Sequence, residues 1–201
     1  MILPIVRYND PILRRKGEKV GAITPQIRKL ALDMLETSRA KGIGLAAQQV
    51  GHALQLAVID LSIIDEEKDG RVSKMWIGGK VVDHMQLQPI FLIDPEISGT
   101  KTKETGVEGC LSFPGLSLEI TRSARVKVKT RTLEGEPLEF EATGLLAKAV
   151  QHEYDHLQGK LFIDHIAPAT RKKINPILEM ICSNKSAQEV ADAMHDILGG
   201  L

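Results

Sequence analysis

The sequence predicts an α+β fold, and three observations carry the prediction. Residues 116–121, 125–132 and 137–142 alternate polar and apolar side chains, as the strands of an antiparallel meander do. A helical pattern follows directly, with Leu145, Ala149, His152 and His156 on one face. Residues 169–198 are largely helical again, interrupted at Pro176. Runs of short strands with flanking helices, rather than strict alternation, define this class.

Taken in order, the first twenty residues are extended, with breakers at Asp10-Pro11 and Lys16-Gly17. Thr24-Pro25 opens a helix, with threonine as cap and proline at the first helical position. Ile27, Leu30, Ala31, Met34 and Leu35 form its apolar stripe, and Gly42 ends it. In Gly42-Ile43-Gly44-Leu45-Ala46-Ala47-Gln48-Gln49, small residues bring backbone close to a neighbour. The segment lacks a third glycine and follows a helix, so it is no dinucleotide fingerprint. Residues 55–60 form a short strand. Residues 62–80 read as an exposed hairpin or loop, with a solvated tip at Asp65-Glu66-Glu67-Lys68-Asp69-Gly70 and a break at Gly78-Gly79.

Residues 89–94 are another strand, and 101–105 are polar. Gly106-Val107-Glu108-Gly109-Cys110-Leu111-Ser112-Phe113-Pro114-Gly115 is a loop shaped around one cysteine. Thr143 is the candidate N-cap of the next helix and Gly159 its stop. Beyond it, Arg171-Lys172-Lys173 form a solvated basic cluster, and Ile174, Ile177, Leu178 and Ile181 pack back on the body. Cys182, beside Ile181, is expected as a buried structural thiol.

At 201 residues the chain is expected to be one domain with a helical tail. Aromatics are only 3%, so its core is aliphatic. Zero formal net charge gives no global field for nucleic acid or an anionic membrane. Two cysteines make no disulfide framework and suit a reducing compartment. The N-terminus lacks a charged segment before a long apolar core, and no apolar run spans a bilayer. A soluble cytoplasmic protein, without membrane contact or direct nucleic-acid recognition, is the expectation.

The stretch Gln151-His152-Glu153-Tyr154-Asp155-His156 reads H-E-x-x-H. Positions i and i+4 of a helix share a face, so His152 and His156 can bind one metal ion. Glu153 follows the first ligand, where its carboxylate reaches a water on that metal. A third ligand is needed, and its source decides the chemistry. In an extended H-x-x-G-x-x-H pattern Gly159 fits, but the ligand position holds Phe162, and His165 comes three residues late. Glu179 on a later helix and Cys110 upstream are the other candidates. An endopeptidase would use Glu179; a non-catalytic metal-stabilised domain would have no use for Glu153 or Gln49.

Three stretches stand together in order: Gly42 to Gln49, Glu108-Gly109-Cys110-Leu111-Ser112, and Gln151 to His156. They resemble the three signature motifs of the peptide deformylase family. So do Tyr8-Asn9-Asp10-Pro11-Ile12-Leu13-Arg14 and the run from His156 to Asp164. The resemblance covers about residues 5–166, which would be the core of a single catalytic domain 1–201. The helical segment of about 169–198 lies beyond it.

The resemblance implies antiparallel sheets packed around a central helix carrying the H-E-x-x-H motif, with a C-terminal helix. It implies removal of the N-formyl group from the formyl-methionine of newly synthesised polypeptides. It assigns the metal ligands to Cys110, His152 and His156, and the metal to iron(II) (Fe2+), with zinc, nickel or cobalt as substitutes. A thiolate and two neutral imidazoles leave a fourth position open for water. Glu153 then acts as general base, and the Gln49 amide and Leu111 N–H stabilise the oxyanion. Substrate backbone is expected along Ile43-Gly44 and Gly109, and the methionine side chain against Ile43, Leu145 and Ala149. Lys148 stands where the family often places an aliphatic residue lining this methionine pocket, and a position at the pocket rim is expected for it. Arg122 is expected to pair with Glu108. The partners are formyl-methionyl nascent peptides, and the tail is a candidate ribosome contact.

Overall fold

A computed structural model describes residues 1–66 and 72–198 of the chain. Thr24 caps α1 (Pro25–Lys41), its hydroxyl accepting from the Ile27 N–H, and the chain leaves the helix at an extended Gly42. Ala31, Met34 and Leu35 bury the stripe that the sequence predicts. They lie against β1 (Gly44–Ala46), β2 (Leu56–Ile59) and β5 (Ile90–Ile93), which form one antiparallel sheet in the order β1-β2-β5.

The second sheet has the order β4-β3-β10-β9-β6. It comprises β3 (Lys74–Ile77), β4 (Lys80–Val82), β6 (Glu96–Gly99), β9 (Arg125–Arg131) and β10 (Pro137–Thr143). Gly78 and Gly79, both at positive φ, turn β3 into β4. Part of the expected exposed stretch is therefore sheet, with Met75 fully buried. Residues 67–70 of the charged tip lie outside the described residues. Glu66 does not face solvent: it bonds Ser73 and His84 and is buried.

The expected meander needs a correction. β8 (Ser117–Ser123) does not pair with β9; it pairs with β7 (Lys103–Gly109) through seven residues, from Lys103↔Ser123 to Gly109↔Ser117. The chain changes sheets at the corner after Ser123, whose N–H donates to Gln151 Oε1 while the Ala124 N–H donates to Thr102 O. The β7 sequence carries two glycines and mostly exposed charges, so alternation does not reveal it. Pairing with β8 supplies the order that its own pattern lacks.

The central helix α2 (Gly144–Leu157) follows β10 without a loop. Leu145, Leu146, Ala149 and Val150 pack against residues of β2, β3, β9 and β10. Burying a side chain such as Leu146 stabilises the fold by roughly 2 kcal/mol. Thr143 occupies the N-cap position, but its side chain makes no capping bond. Ser73 Oγ instead accepts from the Leu146 N–H at 2.9 Å, capping the helix from a distant segment. Gly159, at φ 70°, follows the helix as expected.

The tail forms α3 (Pro168–Lys173), α4 (Asn175–Cys182) and α5 (Ala187–Leu198). Ile174, Ile177, Leu178 and Ile181 are buried as expected, against Phe113, Leu116, Leu118 and Ile120. Cys182 is exposed, contrary to the expectation, because it follows the last buried turn of α4. Among the described residues no helix is long and apolar enough to cross a membrane.

Candidate metal centre

Cys110 emerges from the end of β7, and His152 and His156 project one turn apart from α2. One potential ligand atom from each lies within 4.8 Å of the other two. Cys110 Sγ and His156 Nε2 are 3.4 Å apart. Glu179 is exposed on α4, and His165 Nε2 instead faces Asp155 Oδ2 at 2.6 Å, so neither joins the cluster. Among the described residues the third donor beside the two histidines is Cys110.

The donor set fits a divalent transition ion. His152 Nδ1 is 3.0 Å from Glu108 Oε2, and this carboxylate can only accept. The ring proton therefore sits on Nδ1, which leaves Nε2 for a metal. Burial pushes the Glu108 carboxyl up, but bonds from Arg122 and His152 overcome it and hold it at about 2. Arg122 grips Glu108 with two bonds of 2.9 Å and reaches Asp155 with its third nitrogen. The expected Arg122–Glu108 pair is thus present, and it holds the carboxylate that orients a ligand.

Burial, and after it the positive charge of His152, push the His156 ring well below its ordinary value, and its Nδ1 is buried without a partner among the described residues. Burial also pushes His152 down, but its bonds to Cys110 and Glu108 more than reverse this. A proton on His152 beside the cysteine sulfur stands where a cation would compensate the same charges. Thiolate and imidazole donors suit iron(II) and zinc alike.

Glu153 is 4% exposed, and its Oε2 has no hydrogen-bond partner. Burial raises its carboxyl to about 7. A Cβ on Gly44 would run into Glu153 Oε1. That carboxylate is the neighbour which the small residues of this segment approach. Gln49 is equally fixed: its Oε1 accepts from the Ala46 N–H at 2.9 Å. Its amide nitrogen consequently points to Cys110 Sγ and Ser112 Oγ, both at 3.4 Å. The Leu111 N–H donates to no atom among the described residues.

A cavity of about 490 Å³ opens beside the cluster. Its walls include Ile43, Gly44, Gly109, Leu145 and Ala149, the residues expected to bind substrate. Lys148 also lines it and is half-buried. The orienting contact of Glu108 with His152 and the coupling of Asp155 to Arg122 and His165 escaped the sequence reading. They join residues from three separate segments; only the acidic residue two before Cys110 was a signal.

A sequence model of the family described as polypeptide deformylase matches residues 2–172. The peptide deformylase of Methylacidiphilum infernorum is 52% identical over 185 residues, covering 90% of this chain and 93% of that protein. That of Acinetobacter baumannii is 40% identical over 192 residues, covering 94% and 97%. Among solved structures, the peptide deformylase from Ehrlichia chaffeensis superposes with a TM-score of 0.76 at 31% identity, covering 92% and 98%. That from Legionella pneumophila gives 0.75 at 31%, covering 92% and 97%.

Proposed function

The chain belongs to the peptide deformylase family, metal-dependent hydrolases that remove the formyl group from formyl-methionyl peptides, and we propose how its own residues divide that work. Cys110, His152 and His156 hold one divalent ion, with iron(II) as the native metal and zinc, nickel or cobalt as substitutes. The observation that carries this assignment is the convergence of those three donors beside the buried Glu153 and the aimed Gln49 amide. When bound, the metal supplies Lewis-acid activation of water for attack on the formyl carbon.

Glu153, at about 7 and buried, accepts the proton of the attacking water near neutral pH. It then delivers that proton to the departing amine nitrogen as the C–N bond breaks, and formate and a free amino terminus result. Gln49 Nε2 and the Leu111 N–H donate to the oxygen that becomes negative. A well-placed donor of this kind contributes about 3 kcal/mol to transition-state stabilisation.

Extended substrate backbone pairs at Gly44 on the free edge of β1 and at Gly109. The methionine side chain enters between Ile43, Leu145 and Ala149. Residues 1–201 work as a single catalytic domain, with its core at about 5–166. The apolar cluster that ties α4 and α5 to β8 supports including the tail. The cytoplasm is the proposed site of action, where formylated nascent chains arise. The C-terminal segment of about 169–198 is the proposed ribosome contact.

The test is formate release from formyl-Met-Ala-Ser by anaerobic protein loaded with iron(II), beside acetyl-Met-Ala-Ser and Glu153→Ala. Release from the formyl peptide alone, lost in the variant, is expected. Undiminished release by Glu153→Ala would overturn the role given to that carboxylate.

A further inference from the structure

His165 is the histidine that comes three residues late for a ligand position, and the fold gives it other partners. Its Nε2 lies 2.6 Å from Asp155 Oδ2. A carboxylate only accepts, so the ring proton points from Nε2 to Asp155. Arg122 Nη1 donates to the same oxygen. The 3.3 Å between Nε2 and Nη1 is therefore the close passage of two donors that share one acceptor, and no bond.

The contacts continue inward. Arg122 holds Glu108 with Nε and Nη2, and Glu108 Oε2 accepts from His152 Nδ1. The His165 side chain is 33% exposed, whereas Arg122 and Glu108 are buried. Direct contacts thus join a ring at the surface to the ring proposed as a metal ligand, by way of α2, β8 and β7.

The outer end of this line is fixed independently of Asp155. The turn Phe162–Asp164, which leads into His165, buries Phe162 and Ile163 almost completely. The His165 N–H donates to Phe162 O, and Asp164 binds both Arg14 and the Leu161 N–H. The backbone beneath the ring is a firm post. The Asp155 carboxylate lacks such anchorage. It lines a second cavity of about 240 Å³ with Arg122 and His165, among Lys103, Gln151 and Tyr154. A cavity walled by such side chains admits water, which competes for Asp155 Oδ2. A donor held on the turn keeps the carboxylate in one orientation toward Arg122.

We propose that His165 is a positioning residue for the metal centre: by holding Asp155 against Arg122, it fixes the Glu108 carboxylate that orients His152. This rests on the metal centre of the deformylase reading and extends its support to a residue at the surface.

The test is zinc affinity, by competition with a chelator of known affinity and with no peptide present. The proteins are wild type, His165→Phe, His165→Ala, His165→Gln, Glu108→Gln and the Glu108→Gln/His165→Phe pair. Expected is zinc binding about three- to tenfold weaker in His165→Phe and His165→Ala, less than for loss of a group that bonds a metal ligand directly. His165→Gln, whose amide can donate to Asp155, restores affinity to within about twofold of wild type. In the Glu108→Gln background His165→Phe costs nothing further, because Arg122 no longer grips a carboxylate there. Wild-type affinity in both donor-free variants overturns the proposal, even if their Tm falls, since that is the mark of a purely structural role. An undiminished effect of His165→Phe in the Glu108→Gln background also overturns it. A protein that binds zinc through Cys110 but releases no formate counts against the deformylase reaction, and the affinities still decide the role of His165. Zinc affinity left unchanged by Cys110→Ala would overturn the metal centre and this proposal together.

Discussion

Single side chains set the chemistry, and two of them yield predictions. Gly44 leaves room for the Glu153 carboxylate where any Cβ would strike it. Gly44→Ala should retain the fold and lower kcat roughly 10- to 100-fold, because a displacement of about 1 Å at a reacting group costs that much. Steady-state kinetics beside a thermal melt separates the two effects. Glu108 holds the His152 ring by its Nδ1. Glu108→Gln should weaken metal binding about 10- to 100-fold, read by competition with a chelator of known affinity. Unchanged affinity would mean that α2 alone orients the ring. At this scale the sequence was legible where the chemistry is local. His152, Glu153 and His156 follow one another at helical spacing. The same sequence misread Cys182 and Glu66, since burial depends on which segments arrive from elsewhere.

The elements place those side chains, and their ends are their weakest points. The N-terminus of α2 relies on Ser73 rather than on Thr143. Ser73→Ala should cost about 1 kcal/mol of stability, measured by chemical denaturation, by removing that acceptor. Thr143→Ala should cost less, because its hydroxyl makes no capping bond. Glu189 near the start of α5 is held at about 2, first by the Ser186 N–H and then by Lys185 and the Ser186 hydroxyl. Its carboxyl is depressed in the folded state. Its contribution is therefore complete above the ordinary value of 4.5 and is lost as pH falls toward 2. Faster amide exchange confined to the first turn of α5 across that window is the expected result, and Glu189→Gln should remove the pH dependence. Helix starts such as Thr24-Pro25 are readable because the cap and the helix are contiguous. β7 was not, because its partner strand, and not its own composition, makes it a strand.

Across the whole molecule, the tail packs against the wall of the cavity beside Cys110, His152 and Glu153. Gly115 lines the cavity at φ 81°, where a Cβ would hit Ala187 O of α5, and Met194 Sδ accepts from the Ser117 N–H at 3.4 Å. Val190 is fully buried in the same cluster as Leu116 and Phe113. Removing residues 187–201 should raise KM for formyl-Met-Ala-Ser several-fold and lower Tm, while kcat changes little, because the metal cluster stands on α2 and β7. An unaltered KM would show that the loop at 113–117 holds its shape without α5.

By itself the sequence pointed to the family and, through that resemblance, to the metal ligands and the general base proposed above. Helical spacing alone gave His152, Glu153 and His156, whereas Cys110 followed only from the resemblance of three short stretches to the family's motifs. The tertiary structure decided what those stretches meet. It brought Cys110 to His152 and His156, placed Gly44 against Glu153 and locked the Gln49 amide toward Cys110. Each of these is a contact between segments distant along the chain. Such contacts are fixed by the packing of sheets on helices, and local sequence pattern does not encode them.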